Sequence, residues 1–317
     1  MKKKNWIYVF LFFLLLAIIF IFKGKDVGSI KPVYFVYTFI SYSLVIFLRT
    51  IKMKSIISVY TVIPLRETLS LTSSSQLMGA FIPGRAGEVL ISAYLKLKYA
   101  LDITKVLPVL FMDKIIELIC VMLYTLVSVF FFNASLFSYF SDSFRGFEST
   151  RQLYIVFGVT ILILLLLFIV NKYFKNKLRV ILKNVTRSLV IPFKMPKLGL
   201  IIVGCSFIAI ILEYLSLYFI FHAFNIDITL PKVIIAHSFG MIIGVISLIP
   251  GGQGSTEITM VSVLRLWGYS NGEAVPSILA SKLFTYAVLF LYAIPLLPYC
   301  ISVLKERRAQ KKKVENG

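Results

Sequence analysis

A small set of charged side chains interrupts the long apolar runs of this sequence, and these residues are the first candidates for chemistry. A charged group in an apolar membrane segment costs about 2.5–3.5 kcal/mol on translocon-based scales, so we expect it to bind a ligand or to pair with another charge. Carboxylates and cations placed there could hold a phosphate or a cationic group. In chain order the residues are Arg85, Glu88, Asp113, Lys114, Glu117, Glu213, Glu257 and Lys282.

Arg85 is the first candidate for binding a phosphate. It lies in the sequence Pro83-Gly-Arg-Ala-Gly-Glu88, before a predicted short helix. A guanidinium beside glycine N–H groups at a helix N-terminus favours an oxyanion, because the fork of donors and the helix dipole act together. Glu88 lies three residues later and can pair with Arg85 or with a base from the other half of the chain. The alternative is an arginine that extends to the aqueous interface.

Asp113 and Glu117 are spaced i, i+4 and should share one face of a helix. Together they could bind a cation or hold Arg85. Lys114 could join them or extend to the membrane boundary. We therefore place Asp113 among the predicted substrate-binding residues and Glu117 among the supporting ones.

The second half of the chain offers its own charged groups. Glu257 and Lys282 are expected to pair across two helices, as binding residues or as a purely structural ion pair. Glu213 is the one charge between Leu198 and Phe221. A carboxylate at that depth is either neutral or paired with a base from another helix.

Composition fixes the class of protein in which these groups must work. Of 317 residues, 59% are hydrophobic and 15% are charged, against about 25% charged in a soluble domain. The formal charge of +20 does not indicate a nucleic-acid partner, because the basic residues punctuate apolar runs. Three cysteines and two histidines provide no disulfide framework and no zinc-type cluster, so we expect no metal and no cofactor.

The apolar runs predict an all-α polytopic membrane protein with eight apolar segments, six of them full transmembrane helices. The N-terminal run has no small-residue cleavage site after it and is predicted to be a retained helix. The six spans are Trp6 to Phe22, Pro32 to Leu48, Leu118 to Phe132, Leu153 to Val170, Leu198 to Phe221 and Leu283 to Leu304.

Two further apolar segments are broken by proline and glycine, and we predict that each is a re-entrant helical hairpin. They run from Leu69 to Leu95 and from Val233 to Trp267. The pieces on either side of each break are mostly too short to cross a bilayer. The residues expected to shape the two turns are Pro83, Gly84 and Gly87 in the first hairpin and Pro250, Gly251, Gly252 and Gly254 in the second.

The two hairpins are also similar in sequence. Each Pro-Gly element is followed by a glutamate, and in each half a proline, Pro108 or Pro276, stands six residues before a lysine, Lys114 or Lys282. We predict pseudo-repeats over residues 1–150 and 151–304 in a single membrane domain. Because each half has an odd number of net crossings, the second copy would be inverted and the hairpins would meet near the midplane.

Charge also predicts the orientation. The loop from Lys172 to Lys197 has eight Lys or Arg and no acid, and the tail at residues 305–317 is also basic. Both belong on the cytoplasmic side under the positive-inside rule, and so do residues 49–54, a predicted connection with three cations after the span from Pro32 to Leu48. This places both termini in the cytoplasm of a multi-pass cell-membrane protein. There they would face the anionic lipids of the inner leaflet.

The two Pro-Gly elements, the Asp113 span and the turn containing Gly268 resemble the transmembrane region of lysylphosphatidylglycerol synthases, also called the flippase-like domain family. The resemblance covers roughly residues 5–305. It implies a domain that moves aminoacylated or glycosylated lipids between leaflets. It also implies an arginine in the last span, where this chain has Lys282, which makes a bidentate phosphate contact weaker there.

The predicted function is therefore a flippase-like translocator of a phospholipid, aminoacylated or not, or of a lipid-linked glycan. No aminoacyltransferase domain is expected in these residues, so the name phosphatidylglycerol lysyltransferase, if inherited by similarity, would mislead. An integral-membrane enzyme is a second class, but no catalytic constellation is visible. A third is an accessory subunit of a lipid- or glycan-modifying system, with a homodimer or a synthase as the expected assembly.

Overall fold

The computed structural model describes residues 30–80, 87–132, 195–247, 249 and 251–294, and in these ranges it contains α-helices and no strand. The predicted all-α class is confirmed for this part of the chain. The helices are α1 (Val33–Ile57), α2 (Leu65–Gly79), α3 (Glu88–Tyr99), α4 (Ile103–Phe132), α5 (Pro196–Ala223), α6 (Leu230–Ile246), α7 (Ser255–Leu266) and α8 (Asn271–Ala293).

Several predicted features lie outside the described residues. They are the spans from Trp6 to Phe22 and from Leu153 to Val170, most of the loop from Lys172 to Lys197, and the tail at residues 305–317. The number of six spans, the orientation of the termini and the repeat boundaries therefore stay predictions.

Three of the described helices, α1, α5 and α8, are long and apolar enough to cross a membrane. Their 25, 28 and 23 residues rise about 1.5 Å each, which exceeds the roughly 30 Å of a hydrocarbon core. Helix α4 is longer still, with 30 residues, but it carries the charged group around Asp113. The protein is therefore a helical membrane protein.

The described helices repeat one order: a long helix, two short ones and a long one. The short helices α2, α3, α6 and α7 have 15, 12, 17 and 12 residues, fewer than the roughly 20 that a simple crossing needs. They coincide with the two broken segments predicted from the sequence. We call α2 with α3 the first hairpin and α6 with α7 the second hairpin.

Each hairpin packs on an apolar core of its own. The first core joins Leu71 and Ile91 of the first hairpin to α1 and α4, while the second joins Met260 and Leu264 of the second hairpin to α5 and α8. The helices α1 and α5 then pack side by side and connect the two halves. Each hairpin also packs across the halves, α2 on α8 and α6 on α4.

The turns of the two hairpins touch each other. A Cβ built on Gly251 would lie 2.5 Å from the carbonyl oxygen of Ala80, so only a glycine lets these two chain segments approach so closely. Gly251 also has a φ of +63°, which glycine adopts without strain. The two broken segments therefore contact each other through the backbone, while their meeting near the midplane as inverted re-entrant hairpins stays a prediction.

The sequence-based prediction that residues 49–54 form a cytoplasmic connection after the span from Pro32 to Leu48 is wrong. Helix α1 continues to Ile57, and the side chain of Lys52 is only 1% exposed. No proline or glycine occurs between Leu48 and Ile57 to end the helix. Carboxylates from α4 neutralise the cations of this last stretch, so the helix can remain inside the protein.

The last described helix also starts earlier than the predicted span, which began at Leu283. Helix α8 begins at Asn271, after a capping box in which the backbone N–H of Ser270 donates to Glu273 Oε2 at 2.9 Å. Lys282 is consequently in the middle of α8, with the next residues continuing the same helix.

The ends of the first hairpin farthest from its turn are joined by hydrogen bonds to Glu67. This carboxylate accepts from Tyr94 at 2.7 Å, from Tyr99 at 2.8 Å and from Lys98 at 2.6 Å. Glu67 lies in the first turn of α2, outside the three helices that can span. Burial alone would raise the pKa of Glu67, but the hydrogen bonds, led by that from Lys98, lower it below the ordinary value.

A lowered pKa means that this contact is present above the ordinary glutamate pKa, about 4.3, and is lost as the pH falls through the lower folded value. We expect hydrogen exchange in the first turn of α2, corrected for intrinsic rates, to increase below about pH 4. Glu67→Gln should give faster exchange already at neutral pH. Arg66→Gln, at the exposed neighbouring position, should behave like the parent; equal exchange in all three proteins would contradict the prediction.

Candidate functional site

Seven ionisable side chains from α1, α3, α4 and α5 come together in a buried cluster, which we call the ion cluster. Three are cations and four are carboxylates, so among the described residues the charges nearly balance. The members are Arg49, Lys52, Glu88, Asp113, Lys114, Glu117 and Glu213.

Lys52 is the most buried cation of the ion cluster. Its Nζ lies 2.6 Å from Glu117 Oε1 and 2.9 Å from Asp113 Oδ1, and it donates a further hydrogen bond to Ser206 Oγ at 3.1 Å. An ammonium has three N–H donors; two of them make hydrogen bonds, to Glu117 and Ser206, and the contact with Asp113 is an ion pair. Asp113 and Glu117 share one face of α4, as their i, i+4 spacing predicted.

Lys114 connects α4 to the first hairpin. Its Nζ lies 2.9 Å from Glu117 Oε2 and 3.2 Å from Oε1 of Glu88, the first residue of α3. The side chain of Lys114 is 39% exposed, whereas that of Glu88 is 7% exposed. The cation therefore holds a carboxylate that the fold has removed from solvent.

Arg49 connects both halves of the chain. Its Nη2 donates to Glu213 Oε2 of α5 at 2.6 Å, and its Nη1 donates to Gln76 Oε1 of α2 at 2.9 Å. Its Nε lies 3.7 Å from Glu117 Oε1 and makes no hydrogen bond to the described residues. For Glu213, the second of the two sequence-based alternatives, a partner on another helix, is the one observed.

The second hairpin has a smaller arrangement of the same kind. Lys282 Nζ lies 3.1 Å from Glu257 Oε1, so the predicted ion pair is confirmed. Glu257 also accepts the backbone N–H of Gly254 through Oε2 at 2.7 Å and so caps α7. In both halves the lysine that follows a helix proline by six residues thus pairs with a glutamate in the first turn of a hairpin's second helix.

Two small cavities adjoin the ion cluster. One has a volume of about 20 Å³, the other about 10 Å³, and a single water needs roughly 10–15 Å³. Arg49 and Glu117 line both. The larger cavity reaches the first hairpin at Thr72, Gln76 and Glu88, and the smaller one reaches the second hairpin at His237 and Met241.

The structure brings together some of the predicted site residues and leaves others apart. Glu88, Asp113, Glu117 and Glu213 belong to the ion cluster, while Glu257 and Lys282 form their separate pair at the second hairpin. Arg85, Pro83, Gly84 and Pro250 lie outside the described residues.

The predicted turn glycines differ in why they are needed. Gly251, Gly252 and Gly254 have positive φ values of 63°, 66° and 80°. Gly87 has an ordinary helical φ of −62°, but a Cβ there would lie 2.0 Å from the carbonyl oxygen of Ser75. The second turn therefore uses the conformational freedom of glycine, and the first uses its small size.

Sequence reasoning missed Arg49, Lys52 and Gln76. The first two were assigned to a connection outside the membrane because they follow an apolar run. Their i, i+3 spacing, with no helix-breaking residue before Ile57, is the signal that could have placed them on one face of a continuing helix. Within the described residues, no group of three or more His, Cys, Asp or Glu has the arrangement of a metal site.

Comparisons with known proteins agree with this architecture. A protein family described as the lysylphosphatidylglycerol synthase TM region matches residues 6–293. A UPF0104 membrane protein of Methanocaldococcus jannaschii is 24% identical over 247 residues, covering 74% of this chain and 99% of that protein. A UPF0104 membrane protein of Methanothermobacter thermautotrophicus is 33% identical over 86 residues, and the match covers 27% of this chain but only 24% of the relative.

Proposed function

This chain belongs to the family of the lysylphosphatidylglycerol synthase TM region, and from that premise we propose that it translocates a phospholipid or a lipid-linked glycan between leaflets. The observation that carries the proposal is the ion cluster. Charges buried in an apolar bundle are expensive and usually serve a function, and here they lie between two hairpins that touch at their turns.

The arrangement of the helices supports the same function. Inverted repeats with broken helices at their centre are the usual architecture of transporters that expose one site alternately to the two sides. The described helices repeat one order, and each half has its own apolar core. In our proposal the halves rock against each other about the hairpins, six helices span the bilayer and the hairpins are re-entrant.

The headgroup would be held by residues of both hairpins. Arg85 and Lys282 would receive the phosphate, and Glu88, Asp113 and Glu257 would hold these bases or accept a cationic group. The larger cavity, about 20 Å³, is far below the roughly 300–1,000 Å³ of a small-molecule site. Substrate therefore enters after the ion pairs have separated, and the described arrangement is the closed one.

We also place the protein in the cell membrane, with both termini in the cytoplasm. The basic loop from Lys172 to Lys197 and the tail at residues 305–317 would then contact anionic inner-leaflet lipids. In our proposal the protein assembles as a homodimer or with a separate synthase.

The test is lipid translocation in proteoliposomes. Fluorescent phosphatidylglycerol, its lysyl derivative and a polyprenyl phosphate are each reconstituted with the parent, Asp113→Asn, Arg85→Ala or Lys54→Met. We expect the parent to accelerate movement of at least one lipid, and the first two variants to lose it by about tenfold or more, since each ionic contact is worth about 1.4 kcal/mol or more. Lys54→Met, with its half-buried side chain outside the ion cluster, should match the parent.

Two results would contradict the proposal. If no lipid moves with the parent, the protein does not translocate alone, and an accessory role becomes the better explanation. If a lipid moves equally fast with Asp113→Asn and with Arg85→Ala, the buried charges do not recognise the headgroup.

A further inference from the structure

We propose that Arg49 is a further receptor for the phosphate group of the transported lipid, in addition to Arg85 and Lys282, and that the phosphate binds there by replacing Glu213 on the guanidinium. This inference rests on the proposed function and deepens it, because it assigns the anion site to a residue that lies between the two halves. The shared ligand chemistry is a lipid phosphate, whether from a phospholipid or from a polyprenyl carrier.

Arg49 lies at both of the cavities beside the ion cluster. Together with Glu117 it lines both cavities, so it forms part of the wall between them. One cavity is bounded by Gln76 of the first hairpin, the other by Met241 of the second. A headgroup that occupied either cavity would therefore lie beside this guanidinium.

The guanidinium of Arg49 has an incomplete set of hydrogen bonds within the described residues. The Nε–H and an Nη2–H of an arginine point the same way and can grip two oxygens of one phosphate. Here Nη2 is bound to Glu213, while Nε is buried, lies 3.7 Å from Glu117 Oε1 and makes no hydrogen bond to the described residues. The two carboxylates therefore leave one of the two donors, Nε–H, without a hydrogen bond, whereas two oxygens of one phosphate could bind both donors.

A second donor beside Arg49 is in the same condition. Gln76 accepts from Arg49 Nη1 through its Oε1, while its own Nε2 is buried and makes no hydrogen bond to the described residues. Buried polar groups are nearly always bonded, so each exception needs an explanation. Gln76 is thus a second residue of the site with a buried N–H group that has no acceptor among the described residues, and an oxyanion provides several acceptors.

The two carboxylates near Arg49, Glu117 and Glu213, differ in burial and in their other charged partners. The side chain of Glu117 is 6% exposed and is held by Lys52 at 2.6 Å and by Lys114 at 2.9 Å. The side chain of Glu213 is 26% exposed and lies at the edge of the ion cluster. Glu213 is therefore the carboxylate that a phosphate displaces, and its release removes the ion pair between α1 and α5.

The experiment measures binding, not transport, in the purified full chain in detergent. The probes are dihexanoyl phosphatidylglycerol, farnesyl phosphate and, as the phosphate-free control, dihexanoylglycerol, titrated by calorimetry. We expect one or both phosphates to bind the parent and the control lipid not to bind. The phosphate that binds more tightly identifies the phospholipid or the polyprenyl carrier as the source.

The variants separate an anion receptor from a structural ion pair. Glu213→Gln removes the competing carboxylate and should tighten phosphate binding about fivefold or more, whereas Arg49→Gln should weaken it at least tenfold. Arg49→Lys keeps the charge but loses the two-donor edge, and should also bind several times more weakly. A structural ion pair predicts the opposite for Glu213→Gln, namely weaker binding or none.

Unchanged or weaker phosphate binding by folded Glu213→Gln would overturn the inference, even if Arg49→Gln failed to fold. Equal binding of the phosphate-free lipid would overturn it as well. Phosphate binding that follows the expected order in a protein that moves no lipid would refute the proposed function and leave the receptor assignment intact. Lipid movement that survives in Arg49→Gln would refute the receptor assignment alone.

Discussion

Lys52→Met is expected to destabilise the protein by about 3–5 kcal/mol, the usual result of removing one partner from a buried ion pair. The ammonium is 1% exposed and is the nearest cation to Asp113 Oδ1, at 2.9 Å. Without it, Asp113 and Glu117 would face each other in an apolar interior with one fewer counterion. Thermal unfolding in detergent should show a midpoint lower by at least about 5 °C.

Two further variants make this result specific. Lys54→Met removes a lysine two residues away on the same helix and should change the stability by no more than about 0.5 kcal/mol. Lys52→Met combined with Asp113→Leu should recover much of the loss, because Glu117 keeps Lys114 at 2.9 Å and an apolar pair often replaces a buried ion pair without cost. If Lys52→Met unfolded at the same temperature as Lys54→Met, the ammonium would not be buried as described.

The carboxylates of the site could be predicted from the sequence, but two of their partners could not. Glu213 is the one charged residue in an apolar run, and this pattern predicts that it needs a partner. Arg49 and Lys52 follow an apolar run at its end, where a cation normally marks the cytoplasmic boundary. Whether such a cation stays inside depends on a carboxylate more than sixty residues away on α4, and hydropathy does not contain that information.

The hairpins were predictable for the opposite reason. Proline and glycine act locally, and the two Pro-Gly elements lie where the helix pairs α2 with α3 and α6 with α7 turn. The start of α8 at Asn271 was also readable, since Ser270 and Glu273 have the spacing of a capping box. The sequence also predicted that the hairpins meet, but it could not provide which residues touch, because that depends on the packing of both halves.

Two contacts between the halves differ in kind. One is the ion pair of Arg49 with Glu213, and the other is the backbone contact of Gly251 with Ala80. In our proposal a phosphate replaces Glu213 on Arg49, so the buried guanidinium keeps an anionic partner. The contact of Gly251 with Ala80 depends on the close approach of two backbones, and a Cβ at Gly251 would push the turns apart. Changes at the first contact should therefore alter ligand binding, and changes at the second should alter the stability of the closed arrangement.

A series of glycine-to-alanine variants tests the shape argument. Gly87→Ala should destabilise by about 1–3 kcal/mol or more through a clash alone, since its φ is ordinary but its Cβ would meet the Ser75 carbonyl oxygen at 2.0 Å. Gly254→Ala should cost about 1–3 kcal/mol through backbone strain alone, at a φ of +80° with no atom within 4 Å. Gly251→Ala combines both causes and should have the largest effect.

Gly204→Ala is the matched control in the series. This glycine lies inside α5, and a Cβ there would meet nothing within 4 Å, so alanine should stabilise the helix by about 0.4–1 kcal/mol. All four proteins can be compared by thermal unfolding in the same detergent. If Gly251→Ala were no less stable than Gly254→Ala, the turns would not touch.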